Sequence, residues 1–469
     1  MVSGESHYFL GRRYRLSVTE YNGPNRITVN GTSDLRMQLR HRPGQARATT
    51  KRLVPSAHER ADARPDRQMA ASHRRASRRL GHQEDENQVG KLQYSRPPRR
   101  ADELKVAVVG AGIVGSSVAY RLSEGGTEVV LIDGAEPGSG TTSTSFAWVN
   151  ANNKLPRDYF ELNVVGMHEH QRLRDEIGRG WLFPSGNLIW AAEEGQGSLE
   201  ERVERLRSWS YAAEMLPAST VNERLEPEAV FPDPQTRVAY FPEESWVDAP
   251  ALTRTLVQAA SCNGAPTLVG DAVQDIEVGG GGVTLRLEND DILHADAVVN
   301  ATGAKAASVA EMVGRRLPLD VFRGLLVRVA VPGWPLGRLM HTPRVNVRPD
   351  GPGYILLHHD SVDEKLTNEF AGMEDPLCAE LLERGRGVLP ALEEAEVVEA
   401  RFGMRPVPAD GRSCVGALSA IPGYYEAVTH SGVTLGPLVG RLLAREILTG
   451  EVDPLIAPFR PDRFQATQT

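Results

Sequence analysis

One segment constrains the fold of this chain more than any other: residues 105–134, which read KVAVVGAGIVGSSVAYRLSEGGTEVVLIDG. Its first residues form an apolar, β-branched run, which is typical of a strand buried in a parallel sheet. The residues that follow place apolar side chains on one side of a helix, and Gly125–Gly126 predict where that helix ends. The residues EVVLID predict a second strand. A strand, a helix and a strand in this order indicate a doubly wound α/β sheet.

The turn between the first strand and the helix carries a G-x-G-x-x-G pattern formed by Gly110, Gly112 and Gly115. The first glycine of such a turn permits the tight bend, the second lets the backbone approach a pyrophosphate, and the third lets the helix and the strand pack closely. The N-terminus of the helix adds free N–H groups and partial positive charge. Asp133 lies 23 residues after Gly110, where its carboxylate can accept hydrogen bonds from ribose hydroxyls. The segment therefore predicts a dinucleotide site.

The residues after this unit favour FAD over a nicotinamide cofactor. A nicotinamide dehydrogenase usually continues with regular strand–helix repeats, whereas residues 134–150 read GAEPGSGTTSTSFAWVN, a loop of small residues that can run along a long cofactor. The later run AVVNATG predicts another strand of the same sheet. Residues 430–450 predict a turn and a helix, with Pro437 near its start and Gly450 at its end. That helix is expected to direct a second positive end at the cofactor.

Taken in order, five segments of the chain resemble the D-amino-acid oxidase, glycine oxidase and sarcosine oxidase superfamily of FAD-dependent oxidoreductases. The resemblance covers about residues 104–455. It implies a fold of the α/β (α+β) class, with a Rossmann-like FAD/NAD(P)-binding domain and an inserted substrate domain built on an antiparallel sheet. The segments that carry it are VAVVGAGIVGSSVAYRLSEGGTEVVLID, SWVDAPALTRTLVQAASCNGA, VVNATGAKA, FGMRPVPADGRSCVGAL and HSGVTLGPLVGRLLAREILTG.

The first 103 residues differ in composition from the rest of the chain. They hold 21 Lys and Arg against 11 Asp and Glu, although the whole chain has a net charge of −8. Their weak apolar periodicity predicts a basic, disordered extension, in which residues 19–40 are the stretch that suggests a short hairpin. The resemblance implies boundaries for the remainder, with an FAD-binding domain from residues 104–160, 240–312 and 400–455, a substrate domain from residues 161–239 and 313–399, and a tail from 456–469.

The expected cofactor contacts come from the glycine turn, the small-residue loop, the strand ends and the start of the last helix. They are Gly110, Ala111, Gly112, Ile113, Val114, Gly115, Asp133, Gly134, Thr141, Thr142, Ser143, Val273, Ala301, Thr302, Gly303, Gly403, Ser431, Gly432, Val433 and Thr434. In sarcosine oxidases a cysteine at a place that corresponds to Gly403 bonds the flavin. Because Cys414 lies beyond that place, the FAD is expected to be noncovalent. The three cysteines are far apart and lack metal-ligand spacing, so no metal site is expected.

Three residues are the candidates for substrate chemistry. Arg405 lies in FGMRP, and the resemblance implies that this arginine binds the substrate carboxylate; a guanidinium suits that role because its fork bonds both carboxylate oxygens at once. An arginine that only holds the loop is the alternative. His359 ends GYILLHH, a strand that resembles the one which places a histidine beside the flavin in sarcosine oxidase. Adjacent His358 leaves the register open, and Tyr354 begins the same strand.

The resemblance implies an enzyme that oxidises the C–N bond of an amino acid or N-substituted amine. Hydride passes to flavin N5, an imine forms and hydrolyses, and O2 or a quinone-like acceptor reoxidises the flavin. An FAD-dependent hydroxy-acid dehydrogenase or a monooxygenase is the alternative. A tRNA-linked flavin oxidase that uses the basic extension is a third reading, but the acidic remainder makes a nucleic-acid partner unlikely. Scattered cysteines and the lack of an apolar run of ~20 residues favour a cytoplasmic protein without a membrane span.

Overall fold

The computed structural model describes residues 103–178, 180–333 and 336–464 in full, together with the backbone of four strands within the first forty residues. Those strands are β1 (Ser6–Phe9), β2 (Arg12–Tyr21), β3 (Arg26–Asn30) and β4 (Asp34–Arg40). Among the described residues, no helix combines the length and the apolar character that crossing a membrane requires.

The four N-terminal strands form a sheet in the order β1-β2-β4-β3. β3 and β4 are an antiparallel hairpin that closes at Asn30 and Asp34, within the stretch where the sequence suggests one. β2 pairs with β4 in parallel, which local sequence patterns do not indicate. Residues 6–40 are thus more regular than a disordered extension. The remainder of that predicted extension, and residues 465–469 of the predicted tail, lie outside the described residues.

The rest of the chain contains nine helices and twenty strands among the described residues. The helices are α1 (Ile113–Glu124), α2 (Arg157–Ile177), α3 (Gln196–Ser208), α4 (Ala218–Arg224), α5 (Ala249–Cys262), α6 (Ala306–Met312), α7 (Asp360–Asp363), α8 (Pro376–Arg386) and α9 (Gly432–Thr449). The strands are β5 (Lys105–Val109), β6 (Glu128–Asp133), β7 (Trp148–Val149), β8 (Leu182–Pro184), β9 (Asn187–Ile189), β10 (Glu214–Pro217), β11 (Arg237–Phe241), β12 (Ser245–Val247), β13 (Thr267–Val269), β14 (Val273–Gly279), β15 (Gly282–Leu287), β16 (Ile292–Ala295), β17 (Ala297–Asn300), β18 (Leu319–Ala330), β19 (Leu339–His341), β20 (Asn346–Pro349), β21 (Tyr354–His358), β22 (Glu396–Pro408), β23 (Cys414–Ala417) and β24 (Tyr424–Val428).

A six-stranded sheet in the order β13-β6-β5-β17-β24-β23 carries the glycine turn. All its neighbouring strands are parallel except β23, which pairs antiparallel with β24 at the edge. Val106 and Val108 of β5 are fully buried because helices and a further sheet cover both faces, which explains the unbroken apolar run. The predicted strand–helix–strand unit is confirmed as β5, α1 and β6, and α1 packs against α5 and α9.

An eight-stranded sheet in the order β10-β11-β9-β19-β20-β21-β18-β22 forms the second layer of the site. Its pairs are antiparallel, as the sequence predicts for the substrate domain, except that β9 and β19 run in parallel. β20 and β21 form an antiparallel hairpin across Asp350 and Gly351. The remaining small sheets have the orders β7-β12-β8 and β14-β15-β16.

Three of the domain boundaries implied by the resemblance fall inside continuous elements. The boundary at 160/161 lies within α2, which packs against α9, and the boundary at 239/240 lies within β11. The boundary at 399/400 lies within β22, whose whole length pairs with β18 in the eight-stranded sheet. The chain passes between the two layers along regular elements, so no glycine or proline signal marks the crossings in the sequence.

Candidate active site

A cavity of about 1330 Å³ lies between the two large sheets. Its wall includes the glycine turn after β5, the small-residue loop, the start of α9, and side chains of β18, β19, β21 and β22. Sites for a single small molecule usually measure about 300–1,000 Å³. This volume accommodates a long cofactor and a substrate together.

The glycine turn has the geometry that a bound pyrophosphate requires. Gly110 has a φ of +102°, and its N–H donates to the Ile132 carbonyl over 2.8 Å. A Cβ atom on Gly115 would lie 1.8 Å from the Gly110 oxygen, so only glycine allows α1 to approach β5 this closely. Asp133 accepts hydrogen bonds from the backbone N–H of Ala111 over 2.7 Å and of Ala135 over 3.0 Å. Its carboxylate holds the turn and also lines the cavity, with lone pairs left for a ribose.

The structure brings most of the predicted cofactor residues into this one wall. Ala111, Gly115 and Ser143 are the three that do not line the cavity. Ala111 and Gly115 support the turn from behind, through the contacts given above. The Ser143 hydroxyl donates to the carbonyls of Ser139 and Gly140, both over 2.9 Å, and so shapes the loop instead of facing the cavity.

The first turn of α9 is fixed at several points. The N–H of Ser431 donates to the Thr429 hydroxyl over 3.2 Å, and the Tyr159 and Ser431 hydroxyls are 3.0 Å apart. His170 donates from Nε2 to the Val433 carbonyl over 2.7 Å. Burial lowers the pKa of His170 to about 4, which keeps the ring neutral. The cavity wall includes residues 431–434, so the free N–H groups at this helix start are available to an electron-rich group.

Arg405 lines the cavity, but its guanidinium fork is already in use. Its Nη2 donates to Asp363 Oδ2 over 2.7 Å and to the Arg323 carbonyl over 3.2 Å. Its Nη1 lies 3.8 Å from Asp360 Oδ1, beyond hydrogen-bond distance. The two-point grip on a carboxylate expected from the sequence therefore does not fit this arrangement, because Asp363 occupies one arm of the fork. The N–H groups of Nη1 remain available to donate to a substrate.

The histidines at the end of β21 are oriented by neighbours. His358 Nε2 donates to Asp363 Oδ2 over 3.0 Å, and its Nδ1 accepts from the Asn346 amide over 3.3 Å. His359 caps α7: its Nδ1 accepts from the Ser361 N–H over 3.2 Å. Burial, together with the positive charge of Arg384, lowers the pKa of His359. Both rings line the cavity, but His359 is committed to the helix cap.

Tyr354, the third candidate for substrate chemistry, does not line the cavity. Its ring lies under the Arg328 guanidinium, with Cζ 3.6 Å from the ring centroid. Tyr354 and His358 share one side of β21, but four residues along a strand span about 13 Å. The strand therefore reaches the cavity only at its C-terminal end.

A buried carboxylate that the sequence analysis missed lies behind the cavity. Glu244 is fully buried, and four neutral side chains donate to it. Tyr211 and Asn152 reach Oε1 over 2.6 and 2.8 Å, and Trp148 and Asn187 reach Oε2 over 2.8 and 3.0 Å. Burial raises the pKa of Glu244 to about 7, although the four hydrogen bonds oppose the rise.

This carboxylate determines the tautomer of a histidine in the cavity wall. Because Asn187 donates its amide to Glu244, its carbonyl oxygen faces His341 Nδ1, 2.8 Å away. His341 must therefore carry its proton on Nδ1, which leaves the Nε2 lone pair free. The ring packs on Trp148 with centroids 3.9 Å apart. Burial lowers the pKa of His341 to about 3, with a further effect from the positive charge of Arg202.

Two more cations, Lys154 and Arg202, line the cavity and were also missed. Burial lowers the pKa of Lys154 to about 8 and also lowers the pKa of Arg202. Lys154 lies just before α2 and Arg202 lies within α3, and neither residue belongs to a recognised motif. The segment NANNK carries no spacing signal that identifies its lysine in advance.

Comparison with protein families matches residues 105–446 to the family described as FAD dependent oxidoreductase. One subunit of the opine oxidase of Agrobacterium tumefaciens is 27% identical over 392 residues, which covers 78% of this chain and 99% of that protein. Glycine oxidase of Geobacillus kaustophilus is 26% identical over 366 residues, covering 76% and 95%. The crystal structure of glycine oxidase from Geobacillus kaustophilus matches with a TM-score of 0.69 at 24% identity, covering 77% of this chain and 99% of that one, which is a likeness of fold.

Proposed function

The chain belongs to the family of FAD dependent oxidoreductases, and from this premise we propose that it oxidises the C–N bond of a carboxylated amino acid or N-substituted amine to an imine that water hydrolyses. One observation supports the proposal most directly. A single cavity joins Gly110 and Asp133, which suit a dinucleotide, to Arg405 and His341, which suit a carboxylate and an amine. One of the two relatives described above is named as a subunit of an opine oxidase, and the other is named as a glycine oxidase. Opines and glycine are both amines that carry a carboxylate.

The residues in the wall fit FAD. The glycine turn and the start of α1 suit the pyrophosphate, Asp133 suits the ribose, and the start of α9 suits the flavin end. When bound, the flavin supplies the acceptor for the hydride that leaves the carbon next to nitrogen. Noncovalent binding is part of the proposal, since Cys262, Cys378 and Cys414 are all outside the cavity wall. The eventual electron acceptor is proposed to be O2 or a quinone-like molecule, and the location cytoplasmic.

His341 is proposed to receive the amine. A protonated amine has no lone pair with which to form an imine, so the substrate reacts as the neutral amine, whose proton has gone to solvent. The Nε2 lone pair of His341 is an acceptor for an amine N–H, because Asn187 holds the proton on Nδ1. Arg405 is proposed to contact a carboxylate through Nη1 alone, while Asp363 holds its other arm. The protein thus orients the C–H bond by gripping the groups on either side of it.

Anaerobic reduction of the bound flavin tests this function. A panel of free amino acids, N-methyl amino acids, decarboxylated amines and hydroxy acids is mixed with the oxidised enzyme, and the loss of flavin absorbance is followed. We expect reduction by at least one carboxylated amine. Reduction by hydroxy acids alone, or only by NADPH, contradicts the proposal and favours the hydroxy-acid dehydrogenase or the monooxygenase.

Arg405→Met and Arg405→Lys test the carboxylate contact. Loss of a charge-assisted hydrogen bond costs roughly 1.5–3 kcal/mol, so the Met variant should bind the carboxylated amine about tenfold or more weakly, with decarboxylated amines much less affected. The Lys variant should recover part of the loss. Arg401→Met is the matched control, because Arg401 lies on the same strand, pairs with Glu399 and is outside the cavity wall. Equal effects on both kinds of amine contradict the contact.

A further inference from the structure

The cations in the cavity wall are not equivalent. Lys305 is exposed to solvent, and Arg405 is held by Asp363. Lys154 and Arg202 are half-buried, and within the described part of the chain neither makes a hydrogen bond or an ion pair. An exposed lysine needs no partner, but a half-buried cation without one has lost hydration that nothing replaces.

Burial affects both the hydrogen bonding and the pKa of these cations. Arg202 Nε is buried and lacks an acceptor among the described residues. Burial lowers the pKa of both Lys154 and Arg202, and only the charge of Glu244 opposes this for Lys154. Glu244 is not their hydrogen-bond partner, because four neutral donors occupy its two oxygens. Among the described residues, none therefore supplies an anion that pairs with Lys154 or Arg202.

Each of the two cations acts electrostatically on a histidine of the cavity wall. His430, directly before the start of α9, feels the positive charges of both Lys154 and Arg405, which together with burial lower its pKa to about 4. The charge of Arg202 acts in the same way on His341. The contacts of the glycine turn that suits a pyrophosphate involve Ile132 and Asp133 and neither of these cations. The missing anion is therefore a group on the substrate.

We propose that Lys154 and Arg202 form a second anion subsite, so that the substrate is an amine with two carboxylates, one at Arg405 and one between Lys154 and Arg202. N-carboxyalkyl amino acids and acidic amino acids have this chemistry. The inference rests on the proposed amine oxidation and names its substrate class. In this arrangement His341, on which the charge of Arg202 acts, accepts a hydrogen bond from the substrate amine.

The first test measures binding without turnover. Oxidised holoenzyme is titrated with glutarate and with pentanoate, which match in length but differ in one terminal carboxylate, and the change in flavin absorbance gives the dissociation constants. We expect glutarate to bind roughly tenfold or more tightly, because one added carboxylate gains charge-assisted hydrogen bonds. Equal affinities overturn the proposal.

Variants assign the effect to the two residues. Lys154→Met and Arg202→Met should each weaken glutarate binding roughly tenfold and leave pentanoate unchanged, whereas Lys154→Arg should keep most of the preference. Arg207→Met is the matched control, because Arg207 is exposed at the other end of α3. Equal weakening of both ligands, or loss of flavin from the Met variants, overturns the subsite. If neither Met variant folds, the native comparison and Lys154→Arg decide.

A reduction experiment separates this inference from the proposed function. Iminodiacetate and N-methylglycine differ only by a carboxylate in place of a hydrogen, and both are offered anaerobically to native enzyme and variants. Preference for iminodiacetate that Lys154→Met or Arg202→Met removes supports the subsite. Reduction by amines without that preference overturns the subsite alone. If no amine reduces the flavin, the proposed function fails, while the glutarate titration still decides whether the anion subsite exists.

Discussion

Replacing Glu244 by glutamine should abolish a pH dependence of stability that this buried carboxyl group imposes on the fold. Burial raises its pKa from 4.5 to about 7. The folded state therefore keeps the proton at pH values where the unfolded chain has lost it. The resulting stabilisation is full below about pH 4.5 and is lost as the pH rises through about 7.

The expected size of the effect follows from those two pKa values. Linkage gives Glu244 a contribution of roughly −2.5 kcal/mol to the change in the free energy of unfolding between pH 5 and pH 8. The buried histidines His170, His341 and His430 change the stability in the opposite sense, but they do so equally in the native protein and in the variant. Glutamine cannot ionise, so the variant should lack the contribution of Glu244. Its NH2 group faces two of the four donors that surround Glu244, which lowers stability by roughly 1–3 kcal/mol for each donor left without an acceptor. That second cost does not depend on pH.

Urea unfolding followed by tryptophan fluorescence at pH 5, 6, 7 and 8 measures both effects. Glu243→Gln is the control, because Glu243 is the exposed residue next to Glu244 and its replacement removes the same formal charge. We expect the native protein and the control to share one pH dependence of stability. Between pH 5 and pH 8 the stability of Glu244→Gln should change by roughly 2.5 kcal/mol in the favourable direction relative to both. If Glu244→Gln follows the native pH dependence, the buried carboxyl group is not its source and the reasoning is refuted.

Two further predictions concern the cofactor turn and the anion subsite. Gly115→Ala should cost at least about 3 kcal/mol and release FAD, because its Cβ would lie 1.8 Å from the Gly110 carbonyl oxygen; thermal unfolding and the flavin-to-protein absorbance ratio measure this, and full FAD retention contradicts it. The preference for glutarate over pentanoate should fall as the pH rises through about 8, since Lys154 then loses its charge. Glu244, with a pKa near 7, ionises over the same range and acts in the same direction, while His430, with a pKa near 4, stays neutral; titrations at pH 6.5 and 9 that give the same preference contradict this assignment.

The cofactor half of the molecule was predictable because the structural requirements on its residues are local in the sequence. A parallel strand buried on both faces must be apolar, and a helix that approaches a strand within contact of its backbone must carry glycine there. Both requirements act within residues 105–134, so the strand, the turn and the helix could be placed with correct bounds. The apolar run AVVNATG and the turn–helix pattern of residues 430–450 then extended the same reasoning to residues 297–303 and to the start of α9.

The substrate half was less accessible because its contacts join segments far apart in the chain. Arg405 was found from its motif, but its partner Asp363 lies 42 residues away and carries no signal of its own. Asn187 and Glu244 are separated by 57 residues and meet because β9 pairs with β11, which ends shortly before Glu244. Tyr354 lies on a strand that was assigned correctly, but that strand reaches the cavity only at its C-terminal end, so Tyr354 does not line the cavity.

The segment at residues 141–154 connects the two halves. At its beginning, the Thr142 hydroxyl accepts the first N–H of α1 from Ile113 over 3.1 Å, beside the cofactor turn. Toward its end, Trp148 donates to Glu244, and Lys154 enters the cavity. The sequence assigned this loop to the cofactor alone, yet its second half builds the wall that orients His341. One continuous segment therefore contacts both the cofactor turn and the wall that orients His341.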